Sequence, residues 1–195
     1  MESTNEMLKA ALEKDERILW QGKAEQFETL DNTHRKSFTI KAVVGGLIAL
    51  VVSVLYVLAS KGIGIKPFVF VLVFLLCGIP AFNVLGDASK LRKIAYYATD
   101  RRLITLRDSV RAMNYASIHE AGFRMDRDGH LSLLCGEEAL KLNPEKWRET
   151  AIVGQGATEG PECVRFVFYA PTDSEALKAV LNKHLSFPIG ETRQP

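Results

Sequence analysis

Apolar positions gather between Phe38 and Gly86, while the flanks mix polar and apolar residues in short runs. From Ala42 to Ser60, AVVGGLIALVVSVLYVLAS carries no formal charge. At about 1.5 Å per residue, about nineteen helical residues reach about 28 Å, close to a hydrocarbon core of about 30 Å. The run from Pro67 to Gly86, PFVFVLVFLLCGIPAFNVLG, is also uncharged and of similar length. Only KGIGIK, Lys61 to Lys66, separates them, which predicts an antiparallel hairpin. Helices are required because lipid cannot satisfy open backbone N–H and C=O groups. Enclosing two helices that are apolar all round would take several more amphipathic elements than the chain offers.

The flanking patterns differ. Ser3 and Glu6 have capping-box spacing, and Met7, Leu8, Ala11 and Leu12 share a face, predicting an N-terminal helix that packs on the rest of the protein. After Lys93 the texture turns to strands. Ile94–Thr99 and Leu103–Arg107 flank a polar corner and predict a hairpin; Ser117–Met125 and Leu131–Cys135 predict another, turned at Asp128-Gly129. Ala139–Leu142 is expected to continue the meander. Asn143-Pro144 predicts a short helical turn through Trp147, and Val164–Tyr169 a further strand. Thr172 and Glu175 open a closing helix whose apolar stripe is Leu177, Val180, Leu181, His184 and Leu185, stopped at Phe187-Pro188.

Charge changes the picture in one respect. The chain of 195 residues is 47% hydrophobic and 25% charged with net charge +2, and no basic block argues for nucleic acid. Yet Arg35, Lys36 and Lys41 precede the first apolar span and Lys90, Arg92, Lys93, Arg101 and Arg102 follow the second, against Lys61 and Lys66 between them. The positive-inside rule then predicts a multi-pass protein of the inner (cytoplasmic) membrane with both termini in the cytosol. The opening stretch lacks the basic and apolar regions of a secretory signal. Cys77, Cys135 and Cys163 are widely spaced and odd in number, as expected of reduced thiols.

A resemblance joins these parts. Glu16, Ile18, Leu19, Trp20 and Gly22 in DERILWQGKAE, a paired span, and Tyr97, Ala98, Thr99, Arg101, Arg102, Leu103 and Ile104 in YYATDRRLITLR together resemble the bacterial pleckstrin-homology-like (PH-like) membrane proteins. The likeness covers roughly residues 13 to 186 and departs from the family in the long NPEKWRETAIVGQGATEGPE insertion. It implies an α+β membrane protein: a two-helix transmembrane hairpin, then a cytosolic PH-like antiparallel β-barrel or split sheet capped by a C-terminal helix. The expected divisions are a cytosolic N-terminal amphipathic segment at 1–37, the hairpin at 38–87 (spans at 42–60 and 67–86), the PH-like domain at 88–187 and a tail at 188–195. The family implies no agreed ligand.

Catalytic patterns are absent from the sequence. His34, His119, His130 and His184 lie singly, and His119-Glu120 on a strand would point to opposite faces. Val153–Gly160, VGQGATEG, lacks the Lys-Ser/Thr of a P-loop and runs into Pro161. Glu137-Glu138 is expected at a solvated strand end. Ala42, Gly45, Gly46 and Ala49 form a small-residue patch for close helix packing, and no acidic or basic residue interrupts either span. The expectation is a non-enzymatic integral membrane protein without cofactor or metal, whose partners are the bilayer, anionic lipid headgroups or a membrane protein. Lys90, Arg92, Lys93, Arg101 and Arg102 are the candidate lipid contacts, each cation contributing about 1 kcal/mol near an anionic surface. The alternative is a small accessory subunit of a membrane transport or envelope complex that acts through its helices.

Overall fold

A computed structural model describes residues 2–60, 64, 66–153 and 165–193 of the chain. Its contacts separate two compact units, one built from Met1–Phe27 with Ser89–Pro195 and one from Glu28–Ala88. The expected segment 1–37 is therefore divided at Phe27. Its first part is held in the larger unit because Ile18–Lys23 (β1) pairs antiparallel with Ala95–Thr99 (β2).

In the larger unit β1 and β2 continue into Arg102–Leu106 (β3) and Val110–Asn114 (β4), giving an antiparallel sheet in the order β1-β2-β3-β4. Both faces of β2 are buried. On one face, helix α1 (Glu2–Ala11) sets Leu8 against Ala95, Tyr97, Ile104 and Leu106, with Met7 and Leu12 packed beside them. The expected packing face of the N-terminal helix is thus observed. The other face carries Tyr96, whose ring stacks 4.5 Å from Phe168, and Trp20, 6.1 Å from the same ring. Phe168 belongs to β7 (Phe166–Phe168) of a second sheet, which also contains Ala121–Met125 (β5), Leu131–Cys135 (β6) and Gly190–Arg193 (β8) in the order β7-β6-β5-β8. The β5–β6 hairpin turns where expected, with Gly129 at φ 86°, where a side chain would be strained.

Several local expectations are corrected. The predicted strand Ser117–Met125 is instead a 3-10 turn at Tyr115–Ser117, a link, and β5 starting at Ala121. Ala139–Leu142 does not extend the sheet. Gly136, at φ 95°, ends β6, and Glu137–Leu140 (α4) makes one helical turn. The turn at Pro144 runs on as a helix to Val153 (α5), which buries Trp147 completely, its Nε1 donating to the Leu142 carbonyl at 3.1 Å. The closing helix, Ser174–His184 (α6), is capped by Asp173 and not Thr172, because the Thr172 hydroxyl instead accepts from the Lys23 amide at 3.1 Å. Leu177 and Leu181 bury the helix against β1 and β2, and His184 stacks on Tyr115 at 5.3 Å. Cys163 and the Gly154–Gly160 part of the glycine-containing loop lie outside the described residues.

The smaller unit contains α2 (Asn32–Ala59) and most of α3 (Pro67–Leu91), two helices long and apolar enough to cross a membrane. Asp31 caps α2 by accepting from the His34 amide at 2.9 Å. The helices run antiparallel: Gly45 faces the Cys77 backbone, and Tyr56 meets Phe70 edge-on at 5.7 Å. Gly45 permits this approach, since a Cβ there would collide with the Cys77 carbonyl; Gly46 faces open space.

Candidate functional site

The five cations singled out from the sequence do not form one surface. Lys90, in the last turn of α3, and Lys93 are exposed. Arg92 donates to the Phe27 carbonyl at 3.1 Å and lies 5.5 Å from the centre of its ring. Arg101 pairs with Glu13 at 2.9 Å, both half-exposed. Arg102 is turned inward: Nε and one terminal nitrogen grip the two oxygens of Glu16 at 2.9 and 2.8 Å, and the same nitrogen donates to the Ala11 carbonyl at 2.8 Å. The Glu16 side chain is 0% exposed. Glu16 also accepts from the Thr99 hydroxyl at 2.7 Å and from the Glu13 amide at 2.8 Å. Burial acts to raise the Glu16 titration, but hydrogen bonds from Arg102, the Glu13 backbone and Thr99 outweigh it and hold the carboxyl at about 2. Arg102 therefore serves the fold, joining α1, β1 and the β2–β3 corner.

A second polar cluster is buried around Tyr169. Its hydroxyl donates to Asp126 Oδ2 at 3.1 Å, accepts from Arg148 at 3.2 Å and lies 3.3 Å from His130 Nδ1. Arg148 is 2% exposed and stacks 4.4 Å from the Phe27 ring and 5.1 Å from that of Tyr169. Asp126 Oδ1 accepts from the Asp128 and His130 amides at 2.9 Å each, which folds the DRDGH turn. Burial would raise the Asp126 titration, yet the side-chain and backbone hydrogen bonds and charge of His130, with the Asp128 amide, keep it below the ordinary range. Tyr169 is completely buried, and the cluster ties the turn, β7 and α5 together. The spacing of Asp126 and His130 around Gly129 was its one sequence signal.

The β3–β4 turn and the end of α5 enclose a third feature, a small recess of about 10 Å³ lined by Ile94, Thr105, Arg107, Ser109, Arg111, Ala151 and Ile152. Thr105 and Arg111 are register partners across β3 and β4. Arg111 donates to the Ile152 carbonyl at 2.6 Å, near the C-terminal end of α5, where a cation complements the helix dipole. Arg107 binds the exposed Asp108 through Nε at 2.7 Å, while one of its terminal nitrogens is buried and has no hydrogen-bond partner among the described residues. Burial and the neighbouring Arg107 charge both push the Arg111 titration down.

His119 and Glu120 are exposed in the link before β5, and not on a strand. Glu137 pairs with Lys141 on the exposed face of α4. No protein-family model, no curated protein and no solved structure matches the chain. The fold itself defines the class: an α+β protein with one antiparallel sheet, a second sheet that is antiparallel except where β8 runs parallel to β5, and two helices long and apolar enough to cross a membrane.

Proposed function

We propose that this chain is a non-enzymatic integral membrane protein whose two helices anchor a PH-like binding domain facing the cytosol. The observation that carries this reading is the exposure of the helices. Among the described residues, twelve large apolar side chains on α2 and eight on α3 are exposed, while only Ile18, Leu19 and Val110 are so elsewhere. Only 6% of the most apolar stretch of each helix is buried. At about 1 kcal/mol for each half-exposed side chain, leaving these in water would forgo about 20 kcal/mol, more than the net stability of about 5–15 kcal/mol of a typical domain. A bilayer removes that cost. Two sheets packed through Tyr96, Trp20 and Phe168 with a C-terminal helix over β1 and β2 are consistent with a PH-like arrangement. The flanking cations support cytosolic termini. Confinement to the membrane plane would raise the domain's effective concentration near membrane partners, anionic lipid headgroups or a protein.

A second reading, an accessory subunit acting through its helices, is favoured by one feature. A cleft of about 260 Å³ in the hairpin is lined by Ala42, Gly45, Gly46 and Gly78 between Phe38, Phe74 and Phe82. Crosslinking the full chain in its native membrane, beside a version carrying an unrelated helical hairpin, separates the two. Partners retained after the exchange support domain-borne binding; partners lost with it assign the binding to α2 and α3.

A further inference from the structure

We propose that the recess between the β3–β4 turn and the end of α5 is an oxyanion site that receives a phosphate group between Arg107 and Arg111. The proposal rests on reading the α+β domain as a binding module and names the ligand chemistry of that module. Arg107 and Arg111 both line one recess, and among the described residues of the larger unit the exposed Asp108, on Arg107, is the only carboxylate paired with either of them. Exposed pairs of that kind contribute little. A terminal nitrogen of Arg107 is buried without an acceptor among the described residues, although a buried donor left unmade is costly and buried charge is ordinarily paired. Arg111 is held in place by the Ile152 carbonyl, so its remaining donors are oriented before any ligand arrives.

The size of the space sets how the ligand enters. About 10 Å³ holds about one water-sized group, so one phosphate oxygen seats in the recess and the rest of the group stays outside. Arginine forks match that geometry, and charge-assisted bonds to phosphate are among the stronger hydrogen bonds. Ser109, exposed in the turn, lines the opening and offers a hydroxyl. Ile94, three residues beyond the end of α3, forms part of the wall. The same chemistry is presented by free phosphate and by the phosphomonoester headgroup of phosphatidic acid.

The full chain in phosphatidylcholine nanodiscs, titrated with inorganic phosphate at constant ionic strength and followed by thermal unfolding, tests the site. Phosphate stabilises folded proteins generally through exclusion, so the quantity that counts is the difference between wild type and Arg107→Gln. A saturable gain in the wild type whose apparent affinity falls at least about tenfold in Arg107→Gln, and is unchanged in the surface control Arg127→Gln, supports the site. A second arm replaces free phosphate with phosphatidic acid in the disc: a gain found only there, and again lost in Arg107→Gln, identifies the lipid headgroup as the source. Arg107→Lys, which keeps the charge and loses the fork, is expected to bind with intermediate affinity and guards against a folding defect in Arg107→Gln. Absence of any saturable difference in both arms, or equal binding by Arg107→Gln, overturns the proposal. Crosslinked partners retained after hairpin exchange would still stand for the binding-module reading in that case.

Discussion

Replacing Glu16 with Gln probes the clamp that holds β1 to the β2–β3 corner. The carboxylate accepts four hydrogen bonds, from Thr99, the Glu13 amide and two nitrogens of Arg102. Glutamine keeps the shape but presents an amide nitrogen to one pair of these donors, and Arg102, only 15% exposed, loses its buried counter-charge. Shifting the titration from the ordinary 4.5 to about 2 corresponds to about 3–4 kcal/mol at about 1.4 kcal/mol per tenfold. Solvent screening at the partly open Arg102 side trims this to about 2 kcal/mol, or roughly 6 °C in melting temperature. Because the folded carboxyl titrates below its unfolded value, this stabilisation is complete above pH 4.5 and is lost as pH falls toward 2. Denaturant unfolding of the full chain in detergent micelles, followed by the fluorescence of Trp20 and Trp147, measures it at neutral pH and at steps down to the acid limit. Glu16→Gln is expected to be less stable at neutral pH and to flatten the acid dependence. A variant within about 0.5 kcal/mol of wild type at neutral pH, or one with an unaltered acid profile, refutes the clamp.

Further outcomes follow from other contacts. Gly45→Val should force α2 and α3 apart at Cys77 and raise the reactivity of that thiol toward a maleimide, whereas Gly46→Ala, facing open space, should leave it unchanged. Tyr169→Phe removes the hydroxyl shared by Asp126 and Arg148 and should cost about 2 kcal/mol, read in the same unfolding assay. Cys135, which is 0% exposed, should resist labelling until the larger unit unfolds.

What could be read in the chain follows the range of the interactions. The two apolar helices are written in uninterrupted local composition, and the β5–β6 hairpin in one Asp-Gly pair; both needed only neighbouring residues. Strand β1 was not legible, because its partner β2 lies on the far side of both long helices and ILWQGK has no local turn to announce a pairing. The inward use of Arg102 was hidden for the same reason: Glu16 is 86 residues away, and a basic cluster beside an apolar span looks alike whether it faces solvent or a buried carboxylate. Four residues, Glu137–Leu140, are too few to show a period, so α4 was indistinguishable from a strand end. The cap of α6 moved by one residue because the Thr172 hydroxyl serves Lys23, a contact 149 positions distant. The Arg107–Arg111 recess depends on α5 reaching β4 and has no linear signature.

Membrane integration underlies the whole account, and alkaline carbonate extraction of native membranes holding the full chain tests it most directly. The account predicts that the protein stays in the membrane pellet and is released only by detergent. Recovery in the carbonate supernatant, as a monodisperse species that remains soluble without detergent, would contradict it.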